Sequence, residues 1–544
     1  MRVERDSSST HADLAMRGGK IVTVDDEFSI ASAIAIQGTK ILAVGSDTDI
    51  QAYIGAQTEV IDLEGKTVLP GFVDPHGHIH SLGRVLQNLD LSKTTCFQDV
   101  VDFIAERVQS RAPGEWIIGQ GWDQNTWPDK ALPTHEALSA VSPENPVILN
   151  RIDGHAIISN ACAMQLAGIT DETPDPYGGK IHRAQNGKAT GLFVDLAEEL
   201  IRQHEPVSDV DIKARIKLAS QALLKLGVTS FHDLGVSPQE LEVYKEMDRE
   251  GDLDLRIVGF FDDPEGKIDY RKLFAEQTIK QEPDRFFSID GIKLFRDGAL
   301  GSRGALMKEP YSDDPENMGI EVATVEHIEE VTKIALECGV QVITHAIGDL
   351  AIHTVLNAYE AALSGRGFKD HRLRLEHAQI LSPEDLNRFH DLGVATSVQP
   401  GSAISDMGWT ETRIGPERIK GAFRFRDIID SGALFSISSD TPTESINPFE
   451  TMFRAIARQN ENLEPIGGWQ PDQKITLEEA LKAHTIWAAK CSFQDEFVGS
   501  IEPGKQADVV VVSHDILECA TETLLEIKVE QTFISGRCVG EFSA

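Results

Sequence analysis

The chain has 544 residues, a formal net charge of −36 and a hydrophobic fraction of 41%. A chain of this length exceeds one simple domain, so we expect two or three structural units. The negative charge argues against a nucleic-acid partner, because binding to phosphates needs clustered Lys and Arg side chains. It indicates instead a well-solvated surface.

The first residues and the cysteines together predict a cytoplasmic protein. Residues 1–11 are polar and charged, and they lack the apolar segment and the cleavage site of a signal peptide. No apolar run approaches the ~20 residues that a membrane-spanning helix needs, so we expect no membrane partner. The 6 cysteines are scattered without a CxxC pair, a pattern typical of reduced thiols rather than of a cysteine metal site.

Short β-like runs punctuated by turn residues occupy both ends of the chain. The runs lie at 19–24, 33–37, 41–45, 507–512 and 527–536. Neither end is long enough to form a stable domain by itself. We therefore predict one small β-sandwich that is built from residues 1–68 and residues 499–544.

Between the two ends, strand-like runs alternate with helix-like runs, which indicates an α/β fold with βα units. Eight candidate strands lie near 71–79, 228–234, 255–261, 289–297, 340–346, 372–378, 394–399 and 434–440. Eight strands close a (β/α)8 barrel, so we predict a TIM-like barrel over residues 69–498. The first two strands lie about 150 residues apart, far more than one helix and loop need, which predicts a large insertion at about 84–200.

Histidines stand at the ends of three of these strands. His76 and His78 are two residues apart, so in a strand they point to the same side and can bind one metal ion. His345 and His377 each follow an apolar run, at the strand ends where barrel enzymes carry their catalytic groups. His80 shares the face of the first pair, and we expect it to support the site rather than to bind metal.

Asp440 follows the last predicted strand. A carboxylate beside a metal-bound water can accept its proton and later donate that proton to a leaving nitrogen. The structural alternative is a helix cap or an Asx turn before Pro442.

Lys293 lies inside a strand that should be buried, where a bare ammonium is costly. It could pair with a carboxylate, it could be a neutral amine, or CO2 could carboxylate it to a carbamate that bridges two metal ions. The residues alone leave all three alternatives open.

Taken in order, these residues and their flanking motifs resemble the amidohydrolase superfamily, and in particular the amidohydrolase 3 (YtcJ-like) family, which includes N-substituted formamide deformylase. The shared pattern is HxH on the first strand, Lys on the fourth, His on the fifth and sixth, and Asp on the eighth. The flanking motifs are VLPGFVD at 68–74, DGALGSR at 297–303, HAIGD at 345–349 and GSIEPGKQAD at 499–508.

The resemblance implies one or two divalent ions, usually zinc, bound by His76, His78, His345, His377, Asp440 and a carboxylated Lys293. It implies a metal-dependent hydrolase that cleaves a C–N bond other than a peptide bond in a small-molecule substrate, of the amide or N-formyl type. In the predicted mechanism, a metal-activated hydroxide attacks the carbonyl group, and Asp440 carries the proton to the departing amine. A homodimer is compatible with the resemblance, although the composition does not test it.

Three further residues are candidate substrate contacts. Trp122 and His155 lie in the predicted insertion, and Arg303 follows the fourth strand. Core packing is the alternative role for Trp122, and a salt bridge is the alternative for Arg303. We expect Asp349 to cap the helix that follows it, and we assign no role to His232.

Other functions compete with amide hydrolysis. The same metal ligands could support deamination or the hydrolysis of a cyclic amide. Phosphoester hydrolysis uses a similar metal centre. A non-catalytic relative would keep the barrel but would be expected to lose ligands, whereas this chain keeps all of them.

Overall fold

The computed structural model describes residues 11–151, 156–176, 179–195, 197–205, 209–262, 268–367 and 370–542, except for the side chains of Asn125 and Asp195. It contains two compact units. The first comprises Met1–Ile79 with Ala219–Ala544, and the second comprises His80–Leu218. His155 lies outside the described residues.

A single sheet of eight parallel strands forms the centre of the first unit. We number its strands β1 to β8 in chain order: Phe72–Gly77, Val228–Val236, Arg256–Asp262, Phe287–Phe295, Gln341–Ala346, Arg374–His377, Ala395–Val398 and Phe435–Ile437. Gly77 at the end of β1 also bridges in parallel to Thr441, which follows β8, so the first and last strands meet. The predicted α/β fold with a TIM-like barrel is confirmed. Nearly every residue of the strands is buried, as expected for a parallel sheet that is covered on both faces.

Helices of this unit follow most of the strands, and several have strong sequence signals at both ends. Pro238–Glu250 begins with a capping box at Ser237 and ends at Gly251, whose φ of 71° suits a residue without a Cβ. Among the described residues of this unit, the other α-helices of six or more residues are Tyr270–Gln277, Val325–Cys338, Asp349–Leu363, Pro400–Ser405, Thr410–Arg418, Phe425–Asp430, Pro448–Ala457 and Leu477–Ala483.

Two further helices are Ile79–Gln87 and Asp209–Lys225. The second of them has 17 residues. Throughout the described ranges, no helix combines the length and the apolar character that crossing a membrane requires.

The two ends of the chain form two packed β-sheets, which confirms the predicted terminal sandwich. One sheet has the order Lys40–Gly45, Ala33–Gln37, Leu14–Arg17 and Glu59–Asp62. The other has the order Arg537–Glu541, Val529–Ile534, Val509–Val512, Thr67–Pro70, Lys20–Val22 and Ile30–Ala31. Ile34 of the first sheet and Val68 and Val509 of the second share one buried cluster, so apolar side chains from both ends of the chain hold the sandwich together.

The second unit contains a six-stranded mixed sheet. Its order is Gly179–Arg183, Ala189–Asp195, Ala156–Ser159, Val147–Arg151, Ile117–Trp122 and Leu89–Asp90. Its longest helix within residues 88–205 is Phe97–Val108, which buries Val100 and Ile104 in the same core as Trp122.

Trp122 has no exposed surface, and its Nε1 donates a hydrogen bond to the carbonyl oxygen of Leu149 at 2.8 Å. An indole with this burial and this partner belongs to the core, so its position does not support the predicted substrate contact.

Candidate metal centre

The ends of five barrel strands bring the six predicted ligands to one cavity of about 630 Å³. The residues are His76, His78, Lys293, His345, His377 and Asp440. They come from β1, β4, β5, β6 and the segment after β8, and they meet because parallel strands in a barrel end at the same face. This is the face on which barrel enzymes carry their active sites.

Three of these residues form the tightest group. His76, His78 and Asp440 each offer one ligand atom, and these atoms all lie within 4.8 Å of one another. Asp440 Oδ1 lies 3.2 Å from His76 Nε2 and 3.5 Å from His78 Nε2. Two imidazole nitrogens and a carboxylate oxygen at these separations fit a divalent ion such as zinc.

Asp440 is held by the backbone as well as by the histidines. Its N–H donates a hydrogen bond to the His76 carbonyl oxygen at 2.8 Å, and its φ of 52° lies in the left-handed region. Burial alone would raise the pKa of Asp440, but the neighbouring His76 and His78 hold that pKa well below its usual range. The carboxylate is therefore ionised and able to accept a proton.

His345 and His377 complete the group of imidazoles, with ring centroids 4.4 Å apart. Nδ1 of His377 lies 2.8 Å from Gln399 Oε1, so it donates to that oxygen and leaves Nε2 as the electron-pair donor. Burial lowers the pKa of His377 to about 3 and the pKa of His345 well below its usual value. Both rings are therefore neutral, the form that binds metal.

His345 Nε2 is buried and has no hydrogen-bond partner. The nearest carboxylate oxygen, Asp297 Oδ1, lies 3.5 Å away, too far for a good hydrogen bond. Leaving a buried polar atom unpaired costs free energy, and a metal ion bound by the neighbouring imidazoles would satisfy it. The donor set of the cavity thus fits a divalent metal.

Lys293 is buried beside His76, with 1% of its surface exposed. Its Nζ is 3.4 Å from His76 Nε2. Burial lowers its pKa to about 8, against the opposing effect of Glu376 and Asp440. A lysine with a lowered pKa is more often a free amine, which is the form that reacts with CO2.

A buried pair of charges supports His76, and the sequence reasoning missed it. Glu376 Oε2 lies 2.5 Å from His76 Nδ1, and Arg374 Nε donates to Glu376 Oε1 at 2.9 Å. Arg374 also donates to the Pro75 carbonyl oxygen at 2.7 Å. Burial would raise the pKa of Glu376, but Arg374 and His76 hold it well below its usual range. The carboxylate thus fixes the His76 ring with Nε2 directed to the other ligands.

His232 belongs to the same buried network. Its Nδ1 lies 3.1 Å from Arg374 Nη1, and its Nε2 lies 3.0 Å from Gln494 Oε1. It does not line the cavity, so its described contacts are structural.

Asp297 organises the loops beside the cavity. Its carboxylate accepts hydrogen bonds from the backbone N–H groups of Leu306, Ile347 and Gly348 at 2.8 to 3.0 Å. Burial raises its pKa to about 7. The helix Asp349–Leu363 has Gly348 as its N-cap, so Asp349 is not the predicted cap; its carboxylate instead accepts a hydrogen bond from the Lys308 N–H at 2.8 Å.

Two other candidates have protein partners. Arg303 forms a two-pronged ion pair with Asp313, at 3.1 Å from Nε and 2.9 Å from Nη2, and it does not line the cavity. Its described contacts are those of the alternative salt bridge rather than of a substrate contact. His80 Nε2 lies 3.0 Å from Arg215 Nη1, outside the metal-ligand group, as expected for a supporting residue.

Comparison with known proteins identifies related sequences over most of the chain. The sequence profile described as the amidohydrolase family matches residues 59–540. "Protein LONG AFTER FAR-RED 3" of Arabidopsis thaliana is 35% identical, with coverage of 92% of this chain and 87% of that protein. YtcJ of Bacillus subtilis is 32% identical over 97% and 99% of the two chains. N-substituted formamide deformylase of Arthrobacter pascens is 29% identical over 96% and 97%.

A solved structure shares both the fold and part of the sequence. The uncharacterized metal-dependent hydrolase from Pyrococcus horikoshii OT3 superposes with a TM-score of 0.80 and 29% identity. The match covers 93% of this chain and 99% of that one.

Proposed function

Because the chain belongs to the amidohydrolase family, we propose that it is a metal-dependent enzyme that hydrolyses a C–N bond of the amide or N-formyl type in a small molecule. The observation that carries the proposal is the convergence of four imidazoles, a lysine and a carboxylate on one cavity, with His345 Nε2 buried and unpaired. The similarity to N-substituted formamide deformylase supports the choice of bond.

His76, His78, His345, His377 and Asp440 would hold one or two divalent ions, and zinc suits this mixture of nitrogen and oxygen donors. A carboxylated Lys293 would add two oxygens and allow a second ion to bind. When bound, the metal would supply Lewis acidity, which polarises a carbonyl group and lowers the pKa of water.

Asp440 is the residue that moves the proton. Its lowered pKa favours the ionised carboxylate, which lines the same cavity as the imidazoles, so it can accept a proton from the attacking water. The same oxygen can then donate that proton to the departing nitrogen, which leaves as a neutral amine. Glu376 and Gln399 keep the rings of His76 and His377 oriented throughout, because each accepts a hydrogen bond from an Nδ1.

A hydrolysis screen tests this function. Purified protein supplied with zinc and bicarbonate would be assayed with N-formyl amines, N-acyl amines, cyclic amides, aminated heterocycles and aryl phosphates. We expect turnover of an acyclic amide or formamide. Turnover only of an aminated heterocycle or a cyclic amide would move the reaction to the deaminase or cyclic-amide alternative, and turnover only of a phosphate would contradict the proposal.

Asp440→Asn is the diagnostic variant. It should lower kcat by about 10²- to 10⁴-fold, the usual contribution of a positioned acid–base group. The bound metal, measured by elemental analysis, should persist because the imidazoles remain. The matched control is Asp430→Asn, since Asp430 is 63% exposed and pairs with Arg426. A variant at position 440 that retained wild-type kcat would refute the role of Asp440.

A further inference from the structure

Three hydrogen-bond acceptors that the proposed metal chemistry does not use line the cavity. We call Gln379, Asp406 and Glu444 the acceptor wall; all three line the same cavity as the metal-ligand group. Ser405 Oγ donates to Glu444 Oε1 at 2.8 Å and lies 3.4 Å from Asp406 Oδ1. One hydroxyl therefore lies between two carboxylates.

The negative charge of this wall is poorly balanced. Arg454 Nη1 lies 3.4 Å from Glu444 Oε2, so Glu444 pairs with one cation among the described residues. Asp406 forms no ion pair with any residue that the structure describes, and burial together with the charge of Glu444 raises its pKa to about 7. It also caps the C-terminal end of the helix Pro400–Ser405, an end that disfavours negative charge. The protein alone thus gives the Asp406 carboxylate little stabilisation.

Gln379 provides an independent sign that a ligand binds here. Its side chain is only 6% exposed, and its Oε1 is buried without a hydrogen-bond partner. A buried amide oxygen without a donor is costly, and a ligand N–H would satisfy it. Once ionised, the two carboxylates can only accept hydrogen bonds, as Gln379 Oε1 does, whereas Gln379 Nε2 can donate.

Away from the proposed metal ions, the cavity offers little to a substrate with a carboxylate. Among the described residues that line it, Lys293 is the only cation, and it lies beside His76 in the metal-ligand group. No arginine lines it within those described residues. An anionic substrate would meet Asp406 and Glu444 with like charge, which opposes binding.

Resting on the proposed amide hydrolysis, we propose that the substrate carries a second, cationic nitrogen, as a mono-N-acylated or mono-N-formylated diamine does, and that Asp406 and Glu444 bind this cation while Gln379 Oε1 accepts one of its N–H groups. Pairing with the ligand then supplies the positive charge that Asp406 lacks. Phe295 and Leu300, which also line the cavity, are suited to contact the methylene chain between the two nitrogens.

The test uses sets of substrates that differ only in the distal group. Each set holds a mono-N-formyl diamine, the N-formyl amino alcohol and the N-formyl amino acid of equal chain length, with two to six carbons. For the zinc-loaded full chain we expect kcat/KM to fall in the order cation, neutral, anion. At the best length, the cation should exceed the neutral compound by about tenfold or more, a typical effect of one well-placed charge pair.

Variants assign the preference to the wall. Asp406→Asn and Glu444→Gln should each reduce the ratio of cation to neutral kcat/KM several-fold, and together they should bring it close to one. Asp430→Asn should leave the ratio unchanged, because it removes the same type of carboxylate from an exposed ion pair. A ratio near one in the wild type, or a preference for the anion, would overturn the inference.

A binding measurement separates this inference from the proposed function. Calorimetric titration would compare a straight-chain diamine with the amino alcohol of the same length, in wild type and Asp406→Asn. If no amide is hydrolysed but the diamine binds about tenfold more tightly and loses this advantage in the variant, the proposed reaction fails and the inference stands. If amides are hydrolysed but the two probes bind equally, the reaction stands and the inference is refuted.

Discussion

The metal-ligand group and the acceptor wall line one cavity, yet they differ in whether their polar atoms have partners within the protein. In the first, the second nitrogen of a ring already has a carboxylate or amide partner, as with His76 and Glu376 or His377 and Gln399. In the second, Gln379 Oε1 is unpaired, and Asp406 forms no ion pair within the part of the chain that the structure describes. The protein therefore fixes the reactive groups in advance and leaves the acceptor wall to be completed by the ligand.

This difference separates two tasks of an active site. Groups that must be aligned for chemistry gain from rigid partners, because misplacement lowers the rate. Groups that determine which substrate binds increase selectivity when they have no protein partner, because a wrong substrate leaves their hydrogen bonds unmade. The comparison predicts that changes in the first region alter metal binding and rate, whereas changes in the second alter selectivity.

The largest expected effect is that of removing a ligand. His76→Ala deletes the imidazole that lies between Asp440 and Glu376, so we expect loss of bound metal and a fall of hydrolysis to background. Elemental analysis after dialysis measures the metal. His514→Ala, at an exposed histidine, should retain it. Full metal content in the position-76 variant would show that the ligand set is wrong.

The next largest effect tests Glu376, which orients His76, rather than a metal ligand itself. Glu376→Gln keeps the size of the side chain but removes the charge that orients His76 and neutralises Arg374. We expect metal affinity to fall by about 10- to 100-fold, the usual result of changing a partner of a ligating histidine. Competition with a chelator measures this affinity.

The exposed pair of Glu384 with Lys308 offers a control, since Glu384→Gln should leave the metal affinity unchanged. Equal affinities in the wild type and in the position-376 variant would mean that the buried network serves stability alone.

The fold, and the convergence of the six candidate ligands on one cavity, could be predicted from sequence because their signals are local. Apolar runs of strand length predict the barrel, and His76, His345 and His377 each end one of them. Arg374 and Glu376 were missed although they also carry a signal. Charges two residues apart in an apolar strand point to the same side, and their burial demands a partner such as His76.

The substrate contacts could not be predicted because they depend on loops and on tertiary packing. Trp122 and Arg303 have side chains typical of binding sites, but one lies in a core and the other pairs with Asp313. Asp406 and Glu444 stand in no recognisable motif. They become notable only when Ser405 brings their carboxylates together at the cavity.

The smallest effect concerns pH and the acceptor wall. Burial, and then the charge of Glu444, raise the pKa of Asp406 to about 7, while Arg454 lies nearest to Glu444. Below that pH the carboxyl group is neutral and attracts a cation weakly; above it the carboxylate is ionised. An alkylammonium substrate keeps its charge across this range, since its pKa is about 10. The ratio of cation to neutral kcat/KM should therefore rise by about three- to tenfold from pH 6 to pH 8.

In Asp406→Asn the ratio should stay nearly flat, because Glu444 remains as the only carboxylate of the wall. A wild-type ratio that fell with rising pH would mean that the charge of Asp406 does not bind the substrate.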